Sequence, residues 1–110
     1  MSTLFTRIIN REIPAEIVYE DENCVAFRDI NPQAPIHVLV VPRDEIAGVA
    51  FAQAGDATSH LIVSARKVAE SLGLKDGYRL VINQGLDAGQ TVDHIHVHLL
   101  GGRTLAWPPG

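Results

Sequence analysis

The segment His94-Ile95-His96-Val97-His98-Leu99-Leu100 sets three of the chain's five histidines on alternate positions of an otherwise apolar run. Successive side chains of an extended strand point to opposite faces, so the three imidazoles share one face and Ile95, Val97 and Leu99 share the other. A helix scatters alternate residues around its axis and offers no common imidazole face. The segment therefore asks for a strand with one side in the core and one side of titratable rings.

The rest of the chain supplies partners for such a strand. Leu4, Phe5, Ile8 and Ile9 stand at helical spacing behind a cap at Ser2 or Thr3, and Pro14 is the expected stop. IVYEDENCVAFR, residues 17–28, reads as a hairpin around the acidic turn Glu20 to Asn23. IHVLVVP reads as a central strand that contains His37 and stops at Pro42. Residues 56–72 place Leu61, Ile62, Ala65, Val68, Ala69 and Leu72 on one helical stripe, closed by Gly73. YRLVIN is a further strand, GLDAGQT a loop, and DHIHVHLL the last strand. About five strands and two helices, with the strands grouped rather than alternating with helices, point to an α+β fold with a mostly antiparallel sheet.

With 110 residues, residues 1–110 read as one domain, and 46% hydrophobic against 20% charged residues is the balance of a globular one. The net charge of -4 argues against a nucleic-acid partner held by phosphate contacts. No apolar run approaches the roughly 20 residues of a membrane span or the pattern of a signal peptide, so no membrane partner is expected and the default compartment is the cytoplasm. Cys24 is the sole cysteine, which leaves no intrachain disulfide and no cysteine-based zinc cluster.

Neutral imidazole serves as nucleophile, acid or base, and metal ligand. Same-face neighbours on a strand lie about 6.6 Å apart and the outer pair about 13 Å apart, a poor arrangement for one metal. Two triad histidines plus His37 from a neighbouring strand remain a candidate zinc set. Ordinary packing explains one buried histidine; three at strict alternation each need partners for two nitrogens, and that cost favours a functional reading.

The segment HIHVHLL matches the histidine triad signature. FTRIINREIPA, VAFRDINPQAPIHVLVVP, YRLVINQGLDAGQTVDHIHVHLLGGR and the closing WPPG resemble the Hint branch of that family, the histidine triad nucleotide-binding proteins, over nearly the whole chain. The resemblance implies a purine nucleoside 5′-phosphoramidate hydrolase that releases AMP or GMP and an amine. His96 is then the nucleophile, His98 binds phosphoryl oxygens near the leaving group, and His94 and His37 support them.

Two-step chemistry through a nucleotidyl-histidine needs no metal or other cofactor. Donors to the phosphoryl oxygens are sought in His98, Asn83, Thr91 and the backbone of Gly89, Gln90, Thr91 and Val92. Asp29 is implied as the ribose acceptor, with Phe27, Arg28 and Ile30 walling the nucleoside pocket and Ile13 near the base. Thr91 replaces a frequent serine, and Ala106 stands where relatives often carry a polar or histidine side chain, which bears on leaving-group choice. The resemblance further implies a homodimer with a sheet continued across both subunits and a tail, carrying Trp107, that influences substrate choice at the partner's site. Alternatives are a purine-nucleotide-binding regulatory module with incidental hydrolysis, a dinucleoside polyphosphate hydrolase, and the zinc protein.

Overall fold

The computed structural model describes residues 2–110. Five strands form one sheet in the order β1-β2-β3-β5-β4, and every neighbouring pair is antiparallel. They are β1 (Ile17–Glu20), β2 (Cys24–Arg28), β3 (Ile36–Pro42), β4 (Tyr78–Val81) and β5 (Val97–Gly101). A helix covers each face: α1 (Leu4–Ile9) and α2 (Leu61–Ser71). The α+β antiparallel architecture expected from grouped strands is the one observed.

The two long strands, β3 and β5, sort their side chains by parity. Val38 and Val40 of β3, with Val97 and Leu99 of β5 and Ile95 just before it, pack under α2 against Leu61, Ala65 and Val68. The other parity, Leu39 and Val41 with Val25 and Phe27 of β2, packs under α1 against Phe5 and Ile8. Register keeps the parity in line across strands, with Phe27 opposite Leu39 and Leu39 opposite His98.

Local signals explain the element ends. Thr3 Oγ1 accepts the Thr6 N–H and caps α1 as expected. The helix stops at Ile9 rather than running to Pro14, because Arg11 already stands at φ 63°, where a helix cannot continue. The hairpin turn is held by Asp21, whose Oδ1 accepts the N–H groups of Asn23 and Cys24. α2 begins at Leu61, not at residue 56, since residues 57–60 form a tighter 3-10 turn capped by Asp56. At its other end the Gly73 N–H reaches Glu70 C=O and the Leu74 N–H reaches Ala69 C=O, with Gly73 at φ +74° in a Schellman motif.

Two further expectations are corrected. Ile62 is 55% exposed, and Ser64 takes a buried place on the helix face, where its hydroxyl donates to Asp21. β4 ends at Val81 instead of continuing through Asn83.

Candidate active site

The sheet ladder starts at Val97, so His94 and His96 lie in the approach to β5 and only His98 lies within it. The predicted alternation survives nonetheless. Ile95, Val97 and Leu99 belong to the core under α2, while His94 and His96 meet Phe5 of α1 edge-on, at ring-centroid distances of 5.8 and 4.9 Å. The expected spacing of about 6.6 Å along a strand is reduced at the rings, since His96 and His98 lean to 5.0 Å between centroids. His37 enters from β3, where it pairs with Leu100, and its ring lies 5.2 Å from that of His98.

The hydrogen-bond partners fix where each neutral ring carries its proton. Pro42 C=O is only an acceptor, so His94 Nε2–H donates to it, at 2.8 Å. His96 Nδ1–H likewise donates to the carbonyl of His94, at 2.8 Å, which leaves His96 Nε2 with its lone pair. On His37, Nδ1 accepts the Gln33 N–H at 3.0 Å, so the proton sits on Nε2 and is donated to His98 Nδ1 at 2.9 Å. His98 therefore carries its own proton on Nε2. No side-chain nitrogen or oxygen shut off from solvent lacks a partner among the described residues, so the two remaining Nε2 atoms are open to solvent. One presents a lone pair and the other an N–H.

Burial favours the neutral form of His98, His37 and His94. Desolvation pushes His98 down to about 4, helped by the neighbouring His96 and His37 and opposed by Asp29. Desolvation also lowers His37, against the pull of Asp29, and lowers His94, against the Pro42 carbonyl and Glu45. Neutral His37 and His94 preserve the bonds to His98 Nδ1 and to Pro42 C=O.

A cavity of about 280 Å³ opens over His96 and His98. Its walls include Ile13, Phe27, Arg28, Asp29, Ile30, Thr91 and Val92, the expected pocket residues, together with Phe5, Ile8 and Leu39. Ile30 is 97% exposed and forms a rim, whereas Phe27 is buried in the floor. Arg28 reaches away to Glu16, its Nε donating at 2.7 Å. The Asp29 Oδ1 accepts the Asn31 N–H, and Oδ2 lies 3.5 Å from His37 Nε2.

The loop before the triad divides its groups between structure and cavity. Gln90 spends its side chain on the fold: its Oε1 accepts the Gly85 N–H, and its Nε2 donates to the carbonyls of Ala47 and Val92. The N–H groups of Gly89 and Gln90 go to Leu86 and Gly85. Those of Thr91 and Val92 have no protein acceptor among the described residues, and both residues line the cavity. Asn83 and Gly89 do not line it. Trp107 also stands apart, 80% exposed, with the Arg79 guanidinium 5.9 Å from its ring. A wider groove of about 580 Å³ runs between the α2–β4 turn and the tail, remote from the histidines.

The anticipated zinc set takes a different membership. Donor atoms of His37, His98 and Asp29 lie within 4.8 Å of one another, with only one triad histidine among them. His94 and His96 are committed to Pro42 and to the His94 carbonyl. A tetrahedral zinc with two nitrogens at about 2.0–2.1 Å holds them roughly 3.3 Å apart. The His37 and His98 nitrogens at 2.9 Å share a proton instead, so a metal would have to displace it and part the rings.

Phe5, Leu39 and the Thr3 hydroxyl are site residues that the sequence did not announce. Helical spacing says that Phe5 faces a core, but nothing local says that this core contains residues some ninety positions later.

The residues matched by the HIT domain family model run from 10 to 105, and the chain belongs to that family. An uncharacterized HIT-like protein of Synechococcus elongatus is 56% identical over 110 residues, covering 98% of this chain and 96% of its own. A 14 kDa zinc-binding protein of Zea mays is 53% identical over 112 residues, covering 98% and 88%. Among solved structures, a HIT family hydrolase from Legionella pneumophila superposes with a TM-score of 0.93 at 46% identity, covering 99% of this chain and all of its own. The histidine triad nucleotide-binding protein from Candida albicans superposes with a TM-score of 0.83 at 32% identity, covering 97% and 83%. The chain has the fold of the HIT family hydrolases.

Proposed function

We propose that this chain hydrolyses purine nucleoside 5′-phosphoramidates through a nucleotidyl-His96 intermediate. The observation that carries the reading is the opposed pair in one cavity: the free lone pair of His96 Nε2 beside the outward N–H of His98 Nε2. A neutral imidazole attacks the α-phosphorus and becomes the leaving group when water attacks next. Overall the P–N bond gives way to a P–O bond, one water is consumed and the amine departs with a proton. His98 and the N–H groups of Thr91 and Val92 face the charge that builds on the phosphoryl oxygens. In this reading Asp29 accepts from the ribose, and Ile13, Phe27 and Ile30 hold the purine. No cofactor takes part.

The Candida relative's description as nucleotide-binding supports the ligand class. The sheet ends on one side at β4, whose outer edge has no partner strand among the described residues. Pairing two such edges about a two-fold axis gives the homodimer that the reading includes. Trp107 lies outside its own chain's cavity, which suits a tail that acts on the partner's site. The cytoplasm is the compartment we assign, in keeping with a single buried free cysteine.

Hydrolysis of adenosine 5′-phosphoramidate by wild type and His96→Ala, side by side with a chelator, tests the reading. AMP release by wild type alone is expected. Equal rates from both proteins would reject His96 as nucleophile, and binding of AMP without turnover would shift the function to a regulatory module. The zinc reading rests on the Asp29, His37 and His98 cluster and on the name of the maize relative. Metal analysis of protein purified without added metal decides it, since an occupied site approaches one zinc per chain.

A further inference from the structure

The geometry points to Thr3 as a positioning residue for the nucleophile: its hydroxyl sets the tautomer of His94, and the His94 carbonyl in turn holds His96. The inference rests on the proposed role of His96 for its kinetic consequence, although its structural content stands independently of that role.

The proton count around Thr3 admits one arrangement. Thr3 Oγ1 lies 2.7 Å from His94 Nδ1 and accepts the Thr6 N–H at 3.1 Å. His94 Nε2 already carries a proton for Pro42, so in the neutral ring Nδ1 is an acceptor and the Thr3 hydroxyl is its donor. The hydroxyl has a single proton, and this contact uses it. Its lone pairs remain for the Thr6 N–H, and the Thr6 hydroxyl, at 3.3 Å, is the more distant of its two possible acceptors. Thr3 is itself held from outside, because its N–H donates to Glu45 Oε1 at 2.7 Å.

His94 is fully buried and bonded at both nitrogens, so its ring has no freedom to turn. Its backbone carbonyl accepts His96 Nδ1–H at 2.8 Å, the bond that leaves Nε2 of His96 as the lone-pair nitrogen. Phe5, two residues beyond Thr3, touches both rings from the same helix. The cap of α1 and the orientation of the nucleophile are therefore one hydrogen-bonded unit.

Capping and positioning separate with three substitutions. Serine and aspartate both cap helices well, but only serine retains a hydroxyl proton to donate. Thr3→Val removes the donor without adding charge. Ring nitrogens of His94 and His96 are read by long-range proton–nitrogen NMR, and kcat and KM are measured with adenosine 5′-phosphoramidate. Wild type and Thr3→Ser are expected to carry the His94 proton on Nε2 and the His96 proton on Nδ1. Thr3→Asp should draw a proton to His94 Nδ1, and Thr3→Val should leave His94 in mixed tautomers.

Both variants should lose roughly five- to tenfold in kcat with KM little changed, the worth of one hydrogen bond acting on orientation. Thr3→Asp and Thr3→Val with wild-type ring signals would overturn the inference, as would a Thr3→Ser loss equal to theirs. If the wild type shows no turnover, the proposed function fails while the NMR comparison still decides the role of Thr3.

Discussion

The two faces of the sheet are built from the same two strands yet solve opposite problems. Under α2, Val38, Val40, Val97 and Leu99 meet Leu61, Ala65 and Val68 in a core closed to solvent. Under α1, Leu39 and Val41 still pack on Phe5 and Ile8, but His37, His96 and His98 stand beside them and a cavity remains open. The helices differ accordingly, with eleven residues in α2 and six in α1. A six-residue helix has no independent stability and holds its place through its cap and its docked side chains. A one-residue slip of β5 would exchange the faces, so the apolar side fixes the register that aims the histidines.

Two substitutions three positions apart test that division most severely. His96→Ala should lower turnover by at least about 10⁴-fold, the scale of losing a nucleophile. Its unfolding free energy from denaturant titration should fall by only about 1–2 kcal/mol, the scale of losing one buried hydrogen bond, here that to the His94 carbonyl. Leu99→Ala removes a fully buried side chain from the α2 face and should cost about 3 kcal/mol. Its turnover per folded molecule should stay within a few-fold of wild type. A Leu99→Ala protein of normal stability, or one that folds fully yet fails as badly as His96→Ala, would break the separation of faces.

Much of this division was legible in residues 94–100, because a period of two assigns faces whether or not the ladder begins at His94. The apolar run IHVLVVP made a neighbouring strand with His37 legible too, whereas the order β1-β2-β3-β5-β4 depends on tertiary pairing that no local pattern states. Ile62 escaped because a stripe drawn from hydrophobicity cannot see that a half-buried carboxylate, Asp21, will accept from Ser64 on the inner face instead. At the site, the expected pocket residues Asp29, Phe27, Thr91 and Val92 do line one cavity. The resemblance to a family supplied Asp29 and Phe27 as pocket residues, since the sequence around them reads as turn and core. The structural use of the Gln90 side chain, expected instead at the nucleotide, and the double use of Thr3 were out of reach, because each depends on which polar groups tertiary packing leaves unpaired.

A smaller effect is expected at the rim of the open face. Asp29→Asn removes the carboxylate that faces the cavity while leaving an oxygen for the Asn31 N–H. KM for adenosine 5′-phosphoramidate should rise about tenfold, the worth of one charge-assisted hydrogen bond to a ribose hydroxyl. A 2′-deoxyribose substrate should show a similar loss with wild type and little further loss with Asp29→Asn. Equal KM values for the ribose and deoxyribose substrates with wild type would remove the sugar contact from the reading.

The mildest test titrates one face and leaves the other alone. An unfolded histidine takes a proton near pH 6.5, whereas burial holds folded His98 to about 4 and lowers His37 and His94 as well. Between those values the unfolded chain binds protons that the folded chain refuses, so stability is full above about pH 6.5 and falls as pH drops toward 4. The cluster under α2 is apolar apart from the Cys24 thiol, which burial pushes upward, and the Asp21 carboxylate that meets Ser64 beside it is held below its ordinary value, against desolvation, by hydrogen bonds from Tyr19, Asn23, Cys24 and Ser64; both groups therefore stay outside this range. The melting midpoint should therefore be level from pH 8 to 7 and decline by a few degrees from about pH 6.5 to 4.5. Hydrogen exchange should place the loss in α1 and residues 94–98 before α2. A level midpoint across that range, or α2 opening first, would mean that the imidazole face is not the acid-sensitive side of the molecule.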